Sequence, residues 1–287
     1  MPCSLCLFNQ NSVNEKRSEN RVGSADALSL PDLKDGVSRA RWMNPNWLTP
    51  AWPAPANICA VCTTRHGGVS VAPFDSLNLG DHVGDNPLAV ARNRMIVGDT
   101  LQLPSEPLWL KQVHGVDVCG MDAGTCYPTG DASTAFGKGQ VSVIMTADCL
   151  PVLFCDKAGT RVAAAHAGWR GLADGVLERT VESLQCPPAD LLVWLGPAIG
   201  ADAFEVGAEV RETFMQHDPS AQAAFKPSSN TGKWMADIYT LARQRLNAVG
   251  VADIYGGDLC TYTDAERFFS YRRDGQTGRM ASLIWMV

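Results

Sequence analysis

The chain has 287 residues, of which 46% are hydrophobic, and its 24 Lys and Arg against 30 Asp and Glu leave a net charge of −6. This is the balance of an ordinary globular protein with one large domain or two small ones. The basic residues are scattered apart from one modest cluster near the C-terminus, which argues against the clustered cationic face that a nucleic-acid binder needs. No apolar run reaches the length of a membrane span; the longest, around Leu191–Ala201, is broken by Gly196, Pro197 and Gly200. Met1–Gln10 has neither the basic start nor the apolar stretch of a secretory signal, so a cytoplasmic address is expected. The ten cysteines are accordingly expected to stay thiols. Cys3/Cys6 and Cys59/Cys62 are both C-x-x-C pairs, but 52 residues separate them, too far for a zinc ribbon.

Residues 9–41 are rich in charge and poor in large apolar side chains. Such a segment cannot bury enough surface to offset its ordering entropy, and 1–42 is expected to be a disordered extension with Met43 a candidate start. From Trp47 onward strands and helices alternate. Asn57–Thr63 is expected as a strand, followed by a polar loop. Asn86-Pro87 starts a helix running to about Gly98. Strands are predicted near Leu108–Val113, Gln140–Thr146, Pro151–Cys155 and Arg161–Ala165. Leu172–Leu184 is predicted helical, Leu191–Leu195 a buried strand and Ala208–Gln216 a short helix. Asp237–Val249 has apolar residues at helical spacing and Gly250 to end it. Strands near Asp253–Tyr255, Phe268–Tyr271 and Ser282–Met286 complete a single α/β domain of residues 43–287 with mixed sheets.

Candidate chemistry gathers at strand ends. His114 and His166 each close an apolar strand, and a third strand ends in Asp148-Cys149. In α/β proteins that is where ligands and catalytic groups collect. Two imidazoles and a thiolate suit zinc with an open fourth position, where bound water becomes acidic enough to react near neutral pH. The separations of 35 and 17 residues are too wide for a short metal motif, so from spacing alone a buried thiol with hydrogen-bonded histidines is the favoured reading. After His166, Ala167-Gly168-Trp169-Arg170-Gly171 leads into a helix. It reads either as an anion site, with free N–H groups and the Arg170 charge, or as a strand-to-helix turn. Arg65, Lys111, Arg272 and Arg273 are further candidate anion contacts. The P-loop, nucleophile-elbow, H-E-x-x-H and nucleoside-deaminase signatures are absent from the sequence.

Six ordered segments resemble one family: Thr63–Ser70 (TTRHGGVS), Leu77–Asp85 (LNLGDHVGD), Lys111–His114 (KQVH), Thr146–Pro151 (TADCLP), His166–Gly171 (HAGWRG) and Phe269–Arg279 (FSYRRDGQTGR). The chain from about Trp47 to Val287 is similar to the YfiH-type, laccase-domain proteins, also called multicopper polyphenol oxidase-like or peptidoglycan editing factor. The resemblance implies a mixed α+β, cysteine-hydrolase-like fold and a metal site at His114, Cys149 and His166, taken as zinc. It further implies phosphorolysis of adenosine, inosine, guanosine or S-methyl-5′-thioadenosine, together with adenosine deaminase activity. Asp148 or another nearby carboxylate would move protons. Arg65, Asn78, Gln112 and Arg170 are the proposed substrate contacts, with Arg170 or Arg65 steering phosphate. The expected partners are purine nucleosides and phosphate, without nucleic acid or membrane, and the chain is expected as a monomer or weak homodimer.

The oxidase name is tested by counting. Five histidines at 66, 82, 114, 166 and 217 include no His-x-His pair from which to build a trinuclear copper cluster. A single copper ion in a two-His, one-Cys pocket is compatible, because copper exceeds zinc in raw affinity. The rival enzyme is a hydrolase of nucleotide-linked peptidoglycan precursors in which Cys149 is the nucleophile and His166 or His114 its base. A metal-loaded binding protein without turnover is the non-enzymatic alternative.

Overall fold

The main strands are buried at every position, and alternate residues along each face different layers of the molecule. The computed structural model describes residues 44, 46–121 and 127–287, so the expected 1–42 extension and the start at Met43 lie outside the described residues. Strands β1 (Ile58–Cys62), β4 (Val141–Thr146) and β12 (Met280–Met286) form an antiparallel sheet in the order β1-β12-β4. A mixed six-stranded sheet contains β2 (Val118–Gly120), β3 (Ala132–Ala135), β5 (Leu150–Asp156), β6 (Val162–Ala167), β7 (Leu191–Leu195) and β11 (Asp253–Gly256). Its order is β11-β7-β5-β6-β3-β2, with parallel pairing at β11–β7 and β2–β3. A small antiparallel sheet is built from β8 (Glu205–Gly207), β9 (Phe225–Pro227) and β10 (Lys233–Ala236).

The helices are α1 (Pro87–Leu101), α2 (Trp169–Asp174), α3 (Val176–Ser183), α4 (Ala208–His217), α5 (Ile238–Ala248) and α6 (Tyr271–Asp274). Along β5, Leu153 and Cys155 pack with Ile144 of β4 and Ile284 of β12, between the two larger sheets. Val152 and Phe154 point the other way, into a core with Leu177 of α3 and Leu241 and Leu246 of α5. The outer face of the three-stranded sheet, Val143, Leu283 and Trp285, is covered by Val97 and Leu101 of α1 and by Leu77 and Leu79. In β6, Ala163, Ala164 and Ala165 are completely buried. Their small side chains let the layers on both faces approach closely.

Most expected elements are present, with three instructive differences. Leu108–Val113 is not a strand; it makes only isolated bridges, Leu108 to Ser142 and Lys111 to Thr129. Its backbone is satisfied piecemeal rather than by a ladder: Leu108 N donates to Val141 O, Lys111 N to Pro128 O and Val113 N to the Asp131 carboxylate, while the Gln112 amide ties the segment to both backbone polar groups of Met145. The helix expected over 172–184 begins at Trp169 and divides into α2 and α3 at Gly175, which takes a left-handed φ of 101°. The expected strand Phe268–Tyr271 is instead a buried approach, 268–270, to α6, which begins at the exposed Tyr271, and Arg273 donors on the carbonyls of Thr261, Tyr262 and Phe268 hold it. The strands β2, β3 and β8–β10 were not expected; the sequence of β3, Ala-Ser-Thr-Ala, carries almost no hydrophobic signal.

Phe154 is completely buried between sheet and helices. Phe154→Ala is predicted to lower stability by about 3–5 kcal/mol, measured by urea denaturation against wild type.

Candidate metal centre

His166 lies near the end of β6, Cys149 lies in the turn between β4 and β5, and His114 sits in the irregular segment beneath them. One nitrogen from each imidazole and the Cys149 sulfur lie within 4.8 Å of one another. The imidazoles meet edge to face with centroids 4.8 Å apart, and Cys149 Sγ is 3.7 Å from His114 Nε2. His166 is buried, Cys149 half-buried and His114 exposed, so the cluster opens to solvent on the His114 side.

Each ligand is aimed by its local structure. Asp131, fully buried at the start of β3, accepts from the backbone N–H groups of Val113, His114 and Gly115 at 3.1, 2.9 and 2.7 Å. These bonds stabilise the left-handed turn at His114, φ 62°. The same carboxylate accepts from His166 Nδ1 at 2.8 Å, which directs Nε2 towards the cluster. Asp148 also has a left-handed backbone, φ 91°, which turns the chain so that Cys149 faces the histidines. Its carboxylate accepts from Thr261 Oγ1 and from Arg272 N, both at 2.6 Å. Both Asp148 oxygens are therefore engaged in anchoring the C-terminal loop to the centre.

Gly168 and Gly171 allow α2 to close over His114. A Cβ at Gly168 would lie 2.7 Å from His114 Cδ2 and 3.2 Å from Cys149 Sγ, and one at Gly171 would lie 2.8 Å from Gly115 O. In the His-Ala-Gly-Trp-Arg-Gly segment these glycines serve close packing at a strand-to-helix turn.

The donor set fits a metal ion. Burial alone would raise the Cys149 thiol, but the neighbouring His166 and His114 outweigh it and bring it to about 6. Burial would lower His166, yet the Cys149 thiolate and Asp131 raise it to about 9. Each of the two groups thus favours the charged form of the other, and a metal ion bound by them would displace the proton between them. One soft sulfur and two imidazole nitrogens match zinc and also admit copper.

A cavity of about 480 Å³ opens above the cluster. Its apolar wall includes Trp169, Phe204, Ile199 and Tyr271, and its cations are Arg170, Arg272 and Arg279, with His82 at the rim. Five of the six sequence segments meet here. Of the expected contacts, Arg170 and Gln112 line the cavity. The Gln112 amide is, however, committed at both ends to Met145. Asn78 is completely buried and holds Gly80 and Arg279 by their backbone N–H groups, so it shapes the wall from behind. Arg65 lies outside the cavity, its guanidinium taken by the carbonyls of Asp75 and Ala265 and stacked over Phe269. Lys111 and Arg273 are likewise absent from the wall, whereas Arg272 is on it. Cys59 and Cys62 are strand residues of β1, and burial pushes the Cys62 thiol up to about 12. Cys3 and Cys6 fall outside the described residues.

Asp131 and Arg279 were not anticipated as site residues. Arg279 stands in a recognisable segment, but Asp131 carries no local pattern that distinguishes it from a surface loop acid.

Residues 59–287 match the family described as multi-copper polyphenol oxidoreductase laccase. The chain belongs to this family. It is 60% identical over 245 residues to a purine nucleoside phosphorylase of Pseudomonas aeruginosa, covering 85% of this chain and 98% of the relative. It is 58% identical over 237 residues to purine nucleoside phosphorylase YfiH of Escherichia coli, covering 82% and 96%. A crystal structure of a Neisseria meningitidis protein superposes with TM-score 0.81 at 53% identity, covering 84% of this chain and 99% of that one. YlmD from Geobacillus stearothermophilus superposes with TM-score 0.75 at 32% identity, covering 84% and 96%. The mixed α+β fold expected of the laccase-domain family is thereby established.

Two substitutions test this geometry. Asp131→Asn is predicted to weaken metal binding by about 10- to 100-fold, read by competition with a colorimetric chelator. Gly168→Ala is predicted to reduce bound metal per chain while circular dichroism stays native, because the new methyl group meets two ligands at once.

Proposed function

We propose that this chain is a zinc-dependent purine nucleoside phosphorylase acting on adenosine, inosine, guanosine and S-methyl-5′-thioadenosine, and that the same centre deaminates adenosine. The observation that carries the reading is the His114–Cys149–His166 cluster at one end of a cavity with both aromatic and cationic walls. The names of the curated relatives support phosphorylase chemistry. The deaminase activity rests on the resemblance to laccase-domain proteins.

In phosphorolysis a phosphate oxygen bonds to C1′ of the ribose as the C1′–N9 bond breaks. The bonding pair leaves with the purine, which takes up a proton, and ribose 1-phosphate is the second product. In deamination, water adds at C6 and ammonia departs. His114, Cys149 and His166 would hold the zinc ion, which would supply Lewis-acid charge when bound. Asp131 keeps both histidines in place without reorganisation during the reaction. Trp169, Phe204 and Tyr271 offer flat apolar surface to a purine, and the guanidinium groups of the wall offset the charge of phosphate. Cytoplasmic residence suits these substrates, and among the described residues no helix is long and apolar enough to cross a membrane.

The charged forms that Cys149 and His166 favour in one another support one other reading, a hydrolase of nucleotide-linked peptidoglycan precursors with Cys149 as nucleophile. Cys149 cannot ligate a metal and attack a substrate together, so metal content separates the two. The test is protein purified without a metal-affinity tag, assayed for zinc and copper and incubated with adenosine and phosphate beside Cys149→Ala. About one zinc per chain is expected, with adenine, inosine or hypoxanthine formed by wild type alone. Metal-free protein that yields no purine product would sink the phosphorylase reading and favour the hydrolase.

A further inference from the structure

The cavity has three guanidinium groups, and they are not equivalent. Arg170 is exposed and lies flat on Trp169, 4.4 Å from its ring centroid. Arg272 is also exposed, with Nη1 donating to Glu205 O and its backbone N–H given to Asp148. Arg279 is the half-buried one of the three, and burial pulls its guanidinium below the ordinary arginine range.

Arg279 is also the one for which a seat has been built. Asn78 Oδ1 accepts from Arg279 N at 2.9 Å, and the same oxygen accepts from Gly80 N. A Cβ at Gly80 would fall 2.7 Å from Arg279 Cγ, so only glycine leaves room for the arginine stem. At its far end Nη1 donates to the carbonyls of Thr277 and Gly278, at 2.9 and 3.0 Å. Both carbonyls therefore lie on the Nη1 side. Among the described residues Nε and Nη2, the side-on edge that grips oxyanions bidentately, have no protein acceptor, and Arg279 forms no ion pair. The guanidinium faces the cavity that contains Cys149 and Asp148, whose charges act on it without direct contact, and it lies 6.0 Å from the Tyr271 ring centroid.

A half-buried guanidinium with no direct ion pair and an unused donor edge is suited to a ligand that brings an anion into contact. We propose that Arg279 is the principal anion anchor of the cavity, binding inorganic phosphate through its Nε/Nη2 edge. Asn78 and Gly80 act as positioning residues, holding the arginine without touching the ligand. The assignment rests on the phosphorylase reading for its role in turnover, but phosphate binding itself is measurable without turnover.

The same edge would accept the 5′-phosphate of a nucleotide, so the experiment includes both sources. Metal-loaded full-length wild type, Arg279→Gln, Arg279→Lys and Arg170→Gln are titrated calorimetrically with inorganic phosphate, adenosine and AMP. Phosphorolysis kinetics are then measured with each substrate varied, and metal content and melting temperature are recorded. Arg279→Gln is expected to weaken phosphate binding and raise the phosphate KM by about 10- to 100-fold, with the adenosine KM within about twofold. Arg279→Lys, which keeps the charge but loses the fork, is expected to fall between the two, and it decides the matter if the glutamine variant does not fold.

Unchanged phosphate affinity in a folded, metal-loaded Arg279 variant would overturn the assignment. So would loss of phosphate binding in Arg170→Gln alone, or an effect of Arg279→Gln on AMP but not on phosphate. Arg279-dependent phosphate binding in a wild type that forms no ribose 1-phosphate supports the anion site and overturns the phosphorylase reading instead.

Discussion

The Asp131 carboxylate is fully buried and accepts four hydrogen bonds, three from successive backbone N–H groups at 113–115 and one from His166 Nδ1. Burial alone would raise its pKa, but His166 and the N–H donors outweigh that cost and hold it below the usual carboxylate range. The left-handed turn at His114 and the ring orientation of His166 therefore depend on one charge. The two histidines are 52 positions apart in the chain, and this carboxylate brings both into register.

Around that constraint, small residues and amide side chains set the remaining distances. Gly168 and Gly171 let α2 approach His114, and Gln112 pins the same segment to Met145 at the end of β4. Asp148 fastens the C-terminal loop through Thr261 and Arg272. The cavity is thus closed by segments from distant parts of the chain, each tied to a neighbour by bonds to backbone groups. Such ties cost little side-chain entropy and leave few ways for the wall to relax.

Much of the fold was legible because its strongest elements follow simple periodicity. The Asn86 cap, the Asp237 cap and the buried strands at 141–146, 150–156 and 191–195 have local patterns that match their final environments. The break at Gly175 and the irregular course of 108–113 were not legible, since a helix-compatible or strand-compatible sequence says nothing about a side chain arriving from elsewhere. At the site, His114, Cys149 and His166 stood out as rare chemical types at strand ends. Arg65, an equally conspicuous cation, is consumed by the carbonyls of Asp75 and Ala265.

The class of the domain and its main helices and buried strands follow from residue chemistry and near-neighbour spacing, whereas His114, Cys149 and His166 were marked as candidate metal ligands by the family segments that hold them. Which cations face the cavity, and the part of Asp131 as organiser of the centre, emerge from packing between distant segments. Those outcomes depend on contacts between residues such as Asn78 and Arg279, 201 positions apart in the chain. Whether a guanidinium meets a backbone carbonyl or an open cavity is a matter of where distant segments pack, and no local pattern encodes it.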